Sequence, residues 1–125
     1  MFIFYVADQE RTYNFYRNTL QLEPSLHVPG MTEFTLEDGS KMGFMPEQGI
    51  NRLFDGNAPD VSHANGIPRA EIYLIVEDAR ACLSRALNEG AKQILPFRDM
   101  SWGDKAAYCL DPDGHVIAFA HRQEQ

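Results

Sequence analysis

Phe2-Ile3-Phe4-Tyr5-Val6-Ala7-Asp8 and Ile72-Tyr73-Leu74-Ile75-Val76-Glu77-Asp78 lie seventy positions apart and align without a gap. In each, five apolar or aromatic residues precede one variable residue and then an Asp. Runs this rich in β-branched and aromatic side chains favour a buried strand. An Asp directly after such a run suits a helix N-cap, because its carboxylate accepts a hydrogen bond from a free amide of the first turn. The repeat therefore predicts the same strand–helix opening twice.

Both halves continue alike. After Asp8, Tyr13, Phe15, Tyr16 and Leu20 cover one face of a helix, with Arg11, Asn14 and Arg17 opposite; after Asp78, Ala81, Cys82, Ala86 and Leu87 form a similar stripe. Gly90 suits the residue just past the second helix, since glycine takes a left-handed backbone without a Cβ clash, whereas the first helix has Gln21 after Leu20 and a less marked stop. Three strand candidates follow in each half, at 24–28, 31–37 and 41–45, then at 93–96, 105–110 and 115–121. Pro29-Gly30, Asp38-Gly39 and Asp111-Pro112-Asp113-Gly114 supply the turns between them. Residues 47–68 lack a period and read as a connecting loop with a short helical piece around 50–54. The expectation is one α+β domain over 1–125, built as a βαβββ module (1–46), a linker (47–68) and a second βαβββ module (69–125).

At 125 residues there is room for one compact domain, and 44% hydrophobic with 23% charged residues is the balance of a chain that buries a core. A formal net charge of −7 repels phosphate backbones and anionic lipid heads, so neither nucleic acid nor membrane is an expected partner. The apolar runs fall far short of the ~18 residues that span a bilayer. The N-terminus shows no basic segment followed by a small-residue cleavage site, and Cys82 and Cys109 suit reduced thiols better than a disulfide framework. A cytoplasmic location is expected.

Tyr5-Val6-Ala7-Asp8, Phe15-Tyr16-Arg17-Asn18-Thr19-Leu20, Glu71 to Asp78, Trp102-Gly103-Asp104 and Asp111 to Ile117 occur in an order that resembles the glyoxalase/bleomycin-resistance/dioxygenase family, the vicinal oxygen chelate superfamily. No single motif is specific; their joint arrangement over nearly the whole chain is. The resemblance implies two βαβββ modules whose sheets curl around a shared cavity, often in a homodimer, and in many members a divalent metal held by His or Glu. It also implies where those ligands would stand: seven residues before the Asp ending each first strand, on the fourth strand, and four residues after the Gly of the last turn. Those positions hold Met1, Glu71, one of residues 41–45, and Ala118. A divalent site needs about three or more N, O or S donors, and one carboxylate among Met and Ala does not meet that. No metal and no other cofactor is expected. His27, His63, His115 and His121 are too scattered to replace the set and read as surface or hydrogen-bonded residues, with a ligand set assembled between two chains as the remaining route to a metal.

Strand alternation places Ile3 and Tyr5 of the first strand, and Glu71, Tyr73 and Ile75 of its repeat, on the concave side. The last hairpin adds Ala106, Tyr108, Leu110, Val116, Ala118 and Ala120, with Met42 or Phe44 from the fourth strand and Trp102 at the rim. The ligand-binding candidates are thus Tyr5, Met42, Phe44, Glu71, Tyr73, Trp102 and Tyr108. Aromatic and Met side chains offer a flat ligand wide contact with few rotors to freeze, but the same residues also serve to fill the space between sheets. Glu71 admits three roles: an exposed or paired strand-end carboxylate, a contact to a ligand amine or donor, or a general base. Ser101 and Asp104 are near each other without a placed His base, so nucleophilic catalysis is not supported.

The function expected is metal-free binding of a small organic ligand, cationic or aromatic, by a homodimer resembling bleomycin-resistance proteins. The alternatives are a metal-dependent lyase or dioxygenase of the same superfamily and a cofactorless enzyme using Glu71. No catalytic residue is assigned.

Overall fold

The computed structural model describes residues 1–122. The elements run β1 (Phe2–Val6), α1 (Gln9–Leu20), β2 (Leu26–Val28), β3 (Met31–Thr35), β4 (Lys41–Pro46) and α2 (Glu47–Phe54). A 3-10 turn at Val61–Ala64 then leads to β5 (Glu71–Ile75), α3 (Ala79–Asn88), β6 (Lys92–Asp99), β7 (Asp104–Leu110) and β8 (Val116–Arg122). This is an α+β fold with two four-stranded mixed sheets, ordered β1-β4-β3-β2 and β5-β8-β7-β6. In both, the first strand lies parallel to the last of its set and the other pairs are antiparallel. The duplication seen in sequence is a duplication of topology. The chain forms two compact units, Met1–Arg17 with Gln21–Asn65, and Asn18–Leu20 with the chain from Gly66 onward.

Both helices start as their sequences require. Asp8 accepts from the Arg11 amide at 3.1 Å, and Asp78 accepts from the Ala81 amide at 3.0 Å. They end differently. Gly90 takes φ +99° just after α3, while Gln21 itself enters the left-handed region at φ 54° and ψ 45° to close α1. A glutamine accepts there a strain that glycine would avoid. The connecting segment is more ordered than its aperiodic sequence suggested: α2 begins at Glu47, directly after Pro46, and the Asp60 carboxylate caps the 3-10 turn through the Ser62 amide at 2.9 Å. β6 is twice the expected length, and its pairing with β7 shifts register between Gln93 and Leu95 and again between Leu95 and Arg98. Pro96, inside the second shift, has no amide to give a ladder, so the strand must bulge there.

In the first unit, Phe4, Phe44 and Thr32 stand in register across β1, β4 and β3. Tyr16 of α1 stacks on Phe44 with ring centroids 4.5 Å apart, which marks this as the helix-covered face. Phe15, Tyr16, Phe34, Met42 and Phe44 are buried there. In the second unit, α3 packs on β6, β7 and β8 and buries Ala79, Cys82, Leu83 and Ala86. Ile72, Leu74, Ala107, Cys109, Ile117 and Phe119 are buried with them. The opposite face of that sheet carries the candidate site.

Candidate functional site

Strand pairing aligns Tyr73 of β5, Ala118 of β8, Tyr108 of β7 and Leu95 of β6 in one row. Tyr73 and Tyr108 therefore flank Ala118, whose methyl leaves a low point between two phenol rings. The next row pairs Ile75 with Ala120 and Ala120 with Ala106, again with small central residues. Glu71 starts β5 on the same face, two residues before Tyr73. Alternation along β7 brings Asp104, Ala106, Tyr108 and Leu110 to this side, and Asp104 is buried.

Three polar groups are fixed in a chain. The Tyr73 hydroxyl donates to Asp104 Oδ2 at 2.5 Å and accepts from the Trp102 indole Nε1–H at 2.9 Å. The first bond is charge-assisted and short, as expected for a hydroxyl on a carboxylate. Burial raises the Tyr73 phenol above its ordinary ionisation range, and donation to Asp104 adds to that by favouring the neutral phenol, while the Trp102 bond opposes it. The Tyr108 phenol is also raised, first by burial and then by the negative charge of Glu71; the positive charge of Arg98 works against the rise. Both phenols are neutral at physiological pH.

Trp102 comes from the β6–β7 loop. That loop is closed by the Met100 amide donating to the Asp104 carbonyl at 2.8 Å and the Gly103 amide donating to the Met100 carbonyl at 3.1 Å. Gly103 supplies the φ of +100° that the loop needs. The indole remains 58% exposed although its N–H is engaged.

Of the residues singled out in sequence, the structure brings Tyr73, Tyr108, Glu71 and Trp102 to one sheet. Glu71 is exposed, so its carboxylate is hydrated rather than sealed in an apolar cleft. Tyr5 stands on the face of the first sheet away from Phe4 and Phe44, with its ring edge-on to Phe54 of α2. Met42 and Phe44 do not reach an open face. They share the side of β4 that α1 covers, and Phe44 lies wholly beneath Tyr16. On the face of β4 away from α1 stands Gly43, where an added Cβ would meet Ile3 Cγ1 and Met31 Cε at 3.3 Å and Met1 Sδ at 3.4 Å. Asp104, which sequence reasoning weighed only as a partner of Ser101, is the site residue missing from the ligand-binding candidates. Counting back from Tyr108 in steps of two would have placed its carboxylate on the site face.

The chain's residues 1–119 match the family model described as the glyoxalase/bleomycin resistance protein/dioxygenase superfamily. The chain belongs to that superfamily. The glyoxalase/bleomycin resistance/dioxygenase fold is also seen in similar solved structures. A glyoxalase-related enzyme from Fulvimarina pelagi is 18% identical, with a TM-score of 0.78 over 98% of this chain and 87% of that one. A glyoxalase/bleomycin resistance protein/dioxygenase family enzyme from Burkholderia phytofirmans is 17% identical, with a TM-score of 0.80 over 97% and 95%. A glyoxalase/bleomycin resistance protein from Catenulispora acidiphila is 27% identical, with a TM-score of 0.66 over 98% and 96%. Among curated relatives, uncharacterised proteins of Mycobacterium bovis and Mycobacterium tuberculosis are 33% identical over 66 residues, or 53% of this chain. The matched stretch is 43% and 38% of those proteins, so the likeness spans about two fifths of their length.

Many members of this superfamily hold a divalent metal, and the residues here do not fit one. The positions implied for its ligands present a thioether at Met1, a carboxylate at Glu71 and no donor atom at Ala118, and Gly43 stands on the face of β4 away from α1. Among the described residues, no three His, Cys, Asp or Glu side chains converge in a way that could hold an ion. His27 is engaged elsewhere: Nδ1 lies 2.8 Å from Thr32 Oγ1, Nε2 lies 3.1 Å from Glu10, and Tyr13 stacks on the ring. No helix among the described residues is long and apolar enough to cross a membrane.

Proposed function

We infer that this chain is a small-molecule-binding member of the superfamily that holds an organic, aromatic ligand by stacking and hydrogen bonding rather than through a metal ion. The observation that carries this reading is the row in which Tyr73 and Tyr108 flank Ala118, with the Tyr73 hydroxyl oriented by Asp104. Two rigid rings around a methyl-sized floor suit a planar guest, and a hydroxyl already locked in direction pays little entropy to recognise it. The donor-poor positions at Met1, Gly43 and Ala118 support an organic ligand over an inorganic one. A homodimer belongs to the same proposal, since β1 is an edge strand that exposes Phe2 at 75% and Ile3 at 42%.

Thermal-shift screening against cationic drugs and neutral aromatic metabolites tests this. A ligand present at a hundredfold its dissociation constant stabilises the fold by about 2.7 kcal/mol, or several degrees. That shift disappears in Tyr108→Ala if the site is the one described. No shift with any compound, or about one equivalent of Zn, Ni, Mn or Fe in protein purified without chelators, overturns the proposal. Sedimentation of a single species at monomer mass overturns the dimer alone.

A further inference from the structure

Trp102 is the chain's single tryptophan, and it places an indole N–H on the one hydroxyl best oriented to read a ligand. The proton of Tyr73 is committed to Asp104, so the phenol oxygen meets a guest only as an acceptor. Its acceptor side is taken by Trp102 Nε1–H. Yet Trp102 is mostly exposed and sits in a four-residue hairpin loop rather than in the core. A mostly exposed aromatic ring held by one side-chain hydrogen bond gives up little on release, since the net worth of such a bond is small.

We propose that Trp102 is a tethered stand-in for the ligand, and that the site takes a planar heteroaromatic compound with a ring N–H that replaces the Trp102 N–H on the Tyr73 oxygen. The proposal rests on the ligand-binding reading above and specifies its guest. The arrangement selects against flat compounds of equal size that lack the donor, because they would displace the indole and leave the Tyr73 oxygen unpaired. The charges nearby do not favour a strongly ionic guest: at Tyr108 the negative charges of Glu71 and Asp104 are opposed by the positive charge of Arg98. A neutral N–H heterocycle matches that balance.

The test uses uniformly 15N-labelled protein, in which the sole Trp gives one indole N–H cross-peak, titrated with indole, 1-methylindole and benzofuran. Indole is expected to move the Trp102 cross-peak saturably toward its position in Tyr73→Phe, where the acceptor is gone without any ligand. The two probes without an N–H are expected to bind about tenfold more weakly. Trp102→Phe, a change at an exposed position, keeps the protein folded and removes the competing donor. Calorimetry should then show indole binding about threefold to tenfold more tightly than in the parent. An unchanged cross-peak in a folded Tyr73→Phe, equal binding of indole and 1-methylindole, or weaker binding in Trp102→Phe overturns the stand-in role. Equal binding with shifts at Tyr73 and Tyr108 leaves the ligand-binding reading intact, whereas no shift on that face with any of the three probes overturns both.

Discussion

Gly66 and Gly114 meet backbone to backbone: a Cβ on Gly114 would lie 2.5 Å from the Gly66 carbonyl oxygen and 2.9 Å from its Cα. Gly114 closes the β7–β8 turn, where its amide donates to the Asp111 carbonyl at 2.9 Å, and Gly66 belongs to the segment arriving at β5. Both have positive φ, +87° and +78°. The strands that carry Tyr73 and Tyr108 are thus held near their ends by a contact that has no room for a side chain.

Gly114→Ala should therefore cost more than its backbone angle alone predicts. The left-handed conformation accounts for about 1–2 kcal/mol. Relieving an approach of 2.5 Å to main chain requires the segment to move, and brings the expected loss to about 3 kcal/mol or more. Gly90→Ala is the control, because φ is +99° there and nothing lies within 4 Å of the added Cβ. Urea unfolding of the two variants measures the difference, and equal losses would show that the close approach carries no energy.

Gln9 offers a second test of local design in the first unit. Its Nε2 donates to the Val28 carbonyl at 2.7 Å and to Thr32 Oγ1 at 2.9 Å, and its Oε1 accepts from the Gly30 amide at 2.9 Å. One amide ties the first turn of α1 to the β2–β3 hairpin. Gln9→Glu keeps the shape and the acceptor but removes both donations, so a loss of about 1–3 kcal/mol is expected at neutral pH. A protonated carboxyl restores one donor, which raises the folded-state pKa of the new group above its unfolded value of about 4.3. Stability of the variant, relative to the parent, should then be greatest below that unfolded value and fall as pH rises through the folded one. A pH-independent deficit would contradict the donor role.

Much of this fold is written in residue type and spacing. The paired strings ending at Asp8 and Asp78 carry both the strand and the cap, because apolar alternation and N-capping are local effects that need no tertiary context. The duplicated topology follows from them. What sequence did not show depended on context. Gln21 takes a left-handed φ that its side chain does not advertise, and α2 forms where no long period is visible. On β4, Met42 and Phe44 read from sequence as pocket wall, and burial, with Tyr16 stacked on Phe44, puts them in the core. Asp104 was visible as a turn-end acid; its role appears once β7 and β5 lie on the same sheet and Tyr73 reaches it.

Phe44 and Trp102 separate core from site energetically. Phe44 is fully buried and packs against Phe4, Tyr16 and Phe34, so Phe44→Ala should cost about 3–5 kcal/mol through lost transfer energy and a cavity. Trp102→Ala loses one neutral hydrogen bond and exposed surface, about 1 kcal/mol. Chemical denaturation should rank them clearly, with Phe44→Ala near unfolding in a domain of marginal stability. The reverse ranking would mean that Trp102 is a structural anchor rather than a displaceable group.

Cys109 is the larger of two buried-thiol contributions to the alkaline limit of the second unit, Cys82 being the other. Burial, reinforced by the negative charge of Asp111, pushes the Cys109 thiol up to about 12 in the folded chain from an ordinary value of 9.0. The sign follows from which state holds the proton. Below about pH 9 both folded and unfolded chains carry the thiol, and its contribution to stability is fully present. As pH climbs from there, the unfolded chain ionises while the folded chain still binds the proton, so unfolding is favoured by up to about 1.4 kcal/mol per pH unit until the folded value is reached. The raised phenols of Tyr73 and Tyr108 add to the slope only above their ordinary value of 10.0. Unfolding free energies measured by urea from neutral pH upward should therefore bend down before the tyrosines begin to titrate. Cys109→Ala, with no proton to lose, should make that bend shallower, the buried Cys82 thiol, also raised, supplying what remains below the tyrosine range; an unchanged bend in the variant would assign the alkaline loss to another group.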